Sequence, residues 1–175
     1  MIVENKPNIP YQIYCDMDGV LCDFEGRFEH FTGWTPDQYR DKAFEQYGEQ
    51  KGMEKFWSLI DEEVGVRFWR GMGWMPEGKM LWDHIKKYKP TLLTSPSRNE
   101  VSRIGKAGWV EDQLGNYKIE FAYSAEKQEY ATPNSILIDD REKIIMAWKA
   151  QNGIGFLYEG QGMEDIIREL QKLGI

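Results

Sequence analysis

Three short apolar runs in this chain each end in polar residues, and that pattern limits the fold more than any other feature. Residues 11–17 (YQIYCDM) run into Asp16-Met17-Asp18-Gly19, residues 91–94 (TLLT) into Ser95-Pro96-Ser97, and residues 135–140 (SILIDD) into Arg141. Short apolar runs bounded by turn residues read as buried strands. Residues 79–88, 99–114, 126–131, 142–152 and 164–173 have helical spacing, and residues 118–124 (KIEFAYS) and 155–158 read as further strands. Strands alternating with helices predict an α/β fold with a doubly wound parallel sheet. In open α/β sheets ligands sit beyond the carboxyl ends of the strands, where these polar residues fall.

Residues 24–74 break the alternation. Aromatic and charged residues recur there at helical spacing, with Phe24, Phe28 and Phe31 on one helix face. Core packing is the expected role of Phe28 and Phe31. The predicted organisation is a core built from residues 1–23 and 75–175, with residues 24–74 inserted after the first strand as a small helical cap.

Composition removes several functions. Lys and Arg number 22 against 29 Asp and Glu, a net charge of −7. A protein that grips a nucleic-acid polymer needs surplus cations, so that partner is not expected. No run approaches the ~20 apolar residues of a membrane span, and residues 1–7 (MIVENKP) lack the apolar stretch of a signal peptide. Cys15 and Cys22 form no CxxC pair, which disfavours a thiolate zinc site. A disulfide between them is unneeded, and a reducing cytoplasm is the expected compartment. Cys22 and Arg27 lie one residue short of a Cys-x5-Arg loop, and with only His30 and His84 a Ser–His–Asp triad has few candidate members. Chemistry here is expected to run on carboxylates.

Four clusters follow predicted strands. Asp16 and Asp18 are two acids beyond a buried strand, costly to desolvate unless a cation or substrate compensates them; otherwise they form a solvated acidic turn. Thr94 and Ser95 can donate to an anion or simply cap a helix. Lys127 alone would be an ordinary surface lysine. Asp139 and Asp140 are a second acid pair.

Their joint order, acid pair, hydroxyl, lysine, acid pair, resembles the haloacid dehalogenase-like superfamily of aspartyl phosphotransferases. Within it, DMDGVLCDFE, LLTSPS, LIDDR and the segment Gly108-Trp109-Val110-Glu111 look most like the 5'(3')-deoxyribonucleotidases. The likeness spans residues 13–142, specific in the motifs and loose in the insertion. It implies a Rossmann-like core and a Mg2+-dependent phosphomonoester hydrolase acting on (deoxy)nucleoside monophosphates. Asp16 would be the nucleophile, forming an aspartyl-phosphate, and Asp18 the general acid, then base. Thr94 and Ser95 would hold phosphoryl oxygens, and Lys127 would offset the charge of the phosphate and of Asp16. Asp16, Asp18, Asp139 and Asp140 would surround the metal, with Asp140 the chosen direct ligand of the late pair and Asp139 behind it. Mg2+ suits such hard oxygen donors. Arg141 is read as a salt-bridging residue.

Of the 24 aromatics, 12 fall within residues 24–80. A nucleobase can stack on any aromatic face, so Phe24, Phe68, Trp69 and Trp74 are candidate substrate contacts. Most aromatics in a small cap form its core, and that reading weighs more for the tryptophans than for Phe24. The partner implied is a small phosphate monoester, with a homodimer one open assembly. The alternative enzyme is a phosphatase of the same superfamily acting on a sugar phosphate. A receiver-type signalling module also joins acid pair, hydroxyl and lysine, but it leaves the late acid pair and the ~50-residue insertion unexplained. A catalytically dead binding homologue conflicts with the presence of every acid needed for turnover.

Overall fold

The computed structural model describes residues 7–175, so most of the segment read for a signal peptide, residues 1–6, lies outside the described residues. In chain order the strands are β1 Gln12–Cys15, β2 Cys22–Asp23, β3 Gly73–Trp74, β4 Thr91–Thr94, β5 Ile119–Phe121, β6 Ser135–Asp139 and β7 Ile154–Leu157. The helices are α1 Phe24–Thr32, α2 Pro36–Tyr47, α3 Glu49–Ser58, α4 Val66–Arg70, α5 Gly78–Ile85, α6 Glu100–Gln113, α7 Glu142–Ala150 and α8 Met163–Lys172. A π-helical segment, Leu59–Val64, follows α3 directly.

Five strands form one parallel sheet in the order β5-β4-β1-β6-β7, and β2 pairs with β3 in a short ribbon. The expected doubly wound α/β architecture is therefore present. Sheet order reverses at β1, which pairs with β4 on one side and β6 on the other: Cys15 lies opposite both Leu92 and Ile138. Every residue of β4 and β6 is buried. That is why TLLT and SILID read as unbroken runs rather than alternating ones: their strands are covered on both faces. The strand expected over 118–124 shortens to β5 at the sheet edge, where only one neighbour supplies hydrogen bonds.

The chain divides into two compact units. Unit 1 takes in the chain up to Cys22, Trp74–Ser95 and Tyr117–Ile175; unit 2 is Asp23–Gly73 together with Pro96–Asn116. Unit 1 contains the sheet. Leu93, Leu137, Ile144, Ile145 and Trp148 form a core cluster joining α7 to the strands. Along α8, Met163, Ile166 and Leu170 are buried at helical spacing, leaving Lys and Glu outward.

Unit 2 is helical. Phe28 stacks on Phe56 at 5.0 Å, and both are buried. Phe31, expected in the core, is instead exposed, with the Arg27 guanidinium 4.7 Å from its ring centroid; the helix face it shares with Phe28 is wider than the packed strip. The sequence places α6 after a core strand, yet it packs in unit 2. A Cβ at Gly105 would lie 2.4 Å from the Cβ of Trp69 and 2.8 Å from Val66 O. Only glycine lets α6 approach α4 so closely. Arg70 then grips Asp112 with two hydrogen bonds of 2.7 and 2.8 Å, and the Trp109 indole donates to Met72 O at 2.8 Å.

Candidate active site

The site is built wholly within unit 1, at the carboxyl ends of β1, β4 and β6. These are the three adjacent strands at the centre of the sheet, so their ends converge. Just past β1, the Asp16 amide donates to Ile138 O at 2.9 Å, extending the ladder and fixing the backbone of Asp16. Its carboxylate accepts from the Met17 amide at 2.8 Å. The chain then turns sharply: the amides of Leu21 and Cys22 both donate to Met17 O at 2.8 Å. Gly19 has φ +77°, and a Cβ there would stand 2.2 Å from Asp140 Oδ2. Both the turn and the approach of Asp140 require glycine at that position.

At the end of β6, Asp139 is fully buried. Its Oδ1 accepts the Arg141 amide at 3.0 Å, and its Oδ2 lies 2.7 Å from Lys127 Nζ. The same ammonium is 3.0 Å from Asp16 Oδ1. Lys127 sits on a 3-10 turn held by a reciprocal pair of bonds: Glu126 N–H donates to Tyr123 O, and Tyr123 N–H to the Glu126 carboxylate. Taken by itself in the sequence Lys127 would be a surface residue, and only the joint motif order set it beside Asp16; in the fold it is 1% exposed and bridges two acids.

Carboxylate oxygens of Asp16, Asp139 and Asp140 all lie within 4.8 Å of one another. One ammonium therefore faces three carboxylates. Burial pushes the Asp139 carboxyl up to about 6, the charge of Asp16 adding to it, and Lys127 only partly opposes the rise. Burial, then Asp16 and Asp139, push Asp140 up to about 7. Burial works to lower the Lys127 ammonium, but the two carboxylates on it more than offset that and hold it above its ordinary value. Lysine and acids shift in the same direction because the cluster as a whole lacks positive charge. Among the described residues, none donates a hydrogen bond to the Asp140 side chain or forms an ion pair with it. An all-oxygen donor set with excess negative charge, one carboxylate of it undonated, fits a hard divalent cation such as Mg2+.

Thr94 ends β4 and is fully buried; its carbonyl accepts the Ala122 amide at 3.1 Å. Ser95 Oγ lies 3.4 Å from Ser124 Oγ, and Arg141 Nη1 donates to Ser124 Oγ at 3.0 Å. Arg141, expected to be salt-bridged, thus has a hydroxyl partner. Ser124 was not singled out from sequence, although it too is polar and follows a strand, the signal that marked the others. Asp18 is half-buried in the β1 turn and lies outside the three-carboxylate group.

The aromatic candidates divide. Phe68 and Trp69 are buried in unit 2 with no useful surface, and the Trp69 indole donates to Asp61 Oδ1 at 3.0 Å. Phe24 is half-buried, its ring centroid 5.4 Å from that of Phe68 and 5.7 Å from that of Trp69. Trp74, in unit 1, is half-buried with Lys79 Nζ 5.5 Å from its ring centroid. Unit 2 also holds a buried polar group not foreseen from sequence, Asp61 with Trp69, Ser97 and Lys106. Burial raises the Asp61 carboxyl, while hydrogen bonds from Ser97 and Trp69 oppose the shift.

No known protein family matches the chain by sequence, and no curated protein is significantly similar. Solved structures are similar in fold. One is a predicted phosphatase from Clostridium acetobutylicum, with TM-score 0.56 and 13% identity, covering 94% of this chain and 100% of that one. Another is L-2-haloacid dehalogenase from Xanthobacter autotrophicus, with TM-score 0.55 and 11% identity over 94% of this chain and 83% of the other. A hydrolase from Streptococcus pneumoniae TIGR4 reaches TM-score 0.51 at 16% identity, covering 93% of this chain and 100% of that chain. At these identities the shared property is the fold alone, a parallel α/β sheet flanked by helices.

Proposed function

We propose that this fold carries a Mg2+-dependent phosphomonoester hydrolase whose substrates are (deoxy)nucleoside monophosphates. The observation that supports it most is the imbalance of three clustered carboxylates against one lysine, at the carboxyl ends of the central strands. Such a cluster is suited to a cation and, through it, to an anionic substrate. A fold shared with a hydrolase, a predicted phosphatase and a dehalogenase is consistent with that class.

Asp16 is assigned as the nucleophile: its oxygen bonds to phosphorus while the bond from phosphorus to the leaving oxygen breaks, giving an aspartyl-phosphate. Asp18 is assigned to protonate the leaving oxygen and then to take a proton from the attacking water. Lys127 holds Asp16 in place and offsets the charge gathering around it. Thr94 and Ser95 are assigned to the phosphoryl oxygens. Asp16, Asp139 and Asp140, with the Asp18 backbone, would hold Mg2+, which when bound would neutralise phosphate charge. Of the late pair, Asp140 is assigned direct contact because Asp139 already accepts from Lys127 and from the Arg141 amide. Residues 24–74 are assigned as the leaving-group-selecting cap, with Phe24 and Trp74, the half-buried members of the aromatic set, as candidate base contacts. Both cysteines are free and buried, which suits a reducing, cytoplasmic setting.

The test is phosphate release from a panel of deoxy- and ribonucleoside monophosphates and sugar phosphates, with Mg2+ and with chelator. Metal-dependent release favouring nucleotides is the expected result. Preference for sugar phosphates would move the assignment to the alternative phosphatase, and full activity in chelator would refute the metal role.

A further inference from the structure

Unit 2 carries a second concave site with a different chemistry. A groove of about 350 Å³ opens between α2 and α3, lined among others by Trp34, Tyr39, Lys42, Tyr47, Lys55 and Glu63. We infer that this groove binds a small planar organic anion, a ring bearing a carboxylate or phosphate. Its volume lies in the range of small-ligand pockets rather than of flat protein interfaces.

Two exposed rings form its apolar surface, Trp34 and Tyr47, each 42% exposed. A lysine lies over each: Lys42 Nζ is 4.4 Å from the Trp34 ring centroid and Lys55 Nζ 4.6 Å from that of Tyr47. Among the described residues neither ammonium has a carboxylate within 4.0 Å, although acids outnumber bases by seven in this chain. Two unneutralised cations at one groove are therefore selective for an anion. An exposed lysine–aromatic pair contributes only about 0.5–1 kcal/mol to the fold, so either lysine can turn from its ring to a ligand at little cost. The rings offer a stacking face and the ammoniums offer charge, so a ligand with both features gains both contacts. Glu63, the one carboxylate in the lining, repels the ligand's charged end and so orients it toward the lysines.

The groove is also held in shape. The Trp34 amide donates to Thr32 Oγ1 at 3.1 Å. The next residue opens a capping box: Gln38 N–H donates to Thr35 Oγ1 at 3.2 Å and Thr35 N–H to Gln38 Oε1 at 3.0 Å. A large exposed ring on so fixed a turn is preorganised for contact. On the other wall, Gly52 brings α3 against α2; a Cβ there would lie 2.5 Å from Phe44 Cδ1 and 3.0 Å from the Ala43 carbonyl carbon.

The experiment follows the Trp34 indole N–H by NMR in the full chain with Mg2+, assigned by Trp34→Phe. Three probes are titrated: indole-3-carboxylate with ring and charge, indole-3-methanol with ring alone, and acetate with charge alone. Saturable binding of the first at least about tenfold tighter than of the other two is expected. The Lys42→Glu/Lys55→Glu variant should weaken it about tenfold or more at unchanged Tm, and Lys42→Gln/Lys55→Gln by less. An Asp16→Asn protein should bind the probe equally well, separating this groove from the carboxylate site. Equal affinity for all three probes, no saturation, or indifference to both lysine variants would overturn the inference.

Discussion

In unit 1, Asp16, Asp139 and Asp140 crowd within 4.8 Å, and Lys127 is the ion-pair partner of the first two. In unit 2, the single buried carboxylate of Asp61 receives the Trp69 indole and the Ser97 hydroxyl, with the Lys106 ammonium near enough to favour its charge. The side-chain types are almost the same, and the ratio of acids to donors is not. Asp61 is satisfied by its own fold, as buried polar groups usually are. The unit 1 cluster keeps an excess of negative charge that its own donors do not balance, and such an imbalance survives where it serves a ligand. Burial identifies neither as functional; charge balance separates them.

The largest expected effect tests that separation directly. Asp16→Asn should lower phosphate release about a thousandfold or more, with thermal stability unchanged or raised; near-normal turnover would remove the carboxylate from the chemistry. Next, Lys127→Met should destabilise the metal-free protein by about 3–5 kcal/mol in urea titration, because the buried carboxylates of Asp16 and Asp139 lose their countercharge. Added Mg2+ should restore part of that stability. No loss would mean that the lysine is not balancing the cluster.

Smaller effects of opposite sign should follow from removing one acid on each side. In metal-free protein near pH 8, Asp140→Asn should stabilise by about 1–3 kcal/mol, since it removes a repelled charge. Asp61→Ala should destabilise by about 1–3 kcal/mol, leaving the Trp69 indole without its acceptor. Equal signs in the two denaturation experiments would break the comparison.

The Asp140 effect should also depend on pH. Carboxyls raised to about 6 and about 7 in the fold bind protons that the unfolded chain has already released. Their contribution to stability is therefore fully present below the ordinary carboxylate value, near pH 4, and is lost as pH rises through about 6 and 7. The advantage of Asp140→Asn over the parent should shrink as pH falls toward about 4, and Mg2+ should abolish it at neutral pH. An advantage independent of pH would contradict the crowding. The smallest effect is expected at Phe24→Ala, a few-fold rise in KM for a nucleotide at unchanged kcat. Unchanged KM with a lowered Tm would assign Phe24 to packing alone.

Much of unit 1 was legible because its signals are local. An apolar run followed by acids reads the same whatever surrounds it, so β1, β4 and β6 and the polar residues after them follow from pattern alone. Unit 2 was less legible. Periodicity put Phe28 and Phe31 on one face, but only packing buried the first and left the second beneath Arg27. Gly105 and Gly108 look like weak points in a helix; they are where α6 meets Trp69 and Arg70. Ser124 escaped notice because one serine after a strand carries little information until Arg141 and Ser95 are seen beside it.

By itself, the sequence determined the order of elements, the α/β class and which acids stand at strand ends, since burial of apolar runs and turn chemistry act over a few residues. Tertiary structure decided which charges meet. It buried Lys127 as a bridge between Asp16 and Asp139, where the sequence had placed it beside Asp16 alone, and set Asp140 against Gly19. It also grouped α6 with residues 23–73. Charge balance is a property of distances between residues far apart in the chain, and those distances exist only once the sheet has formed.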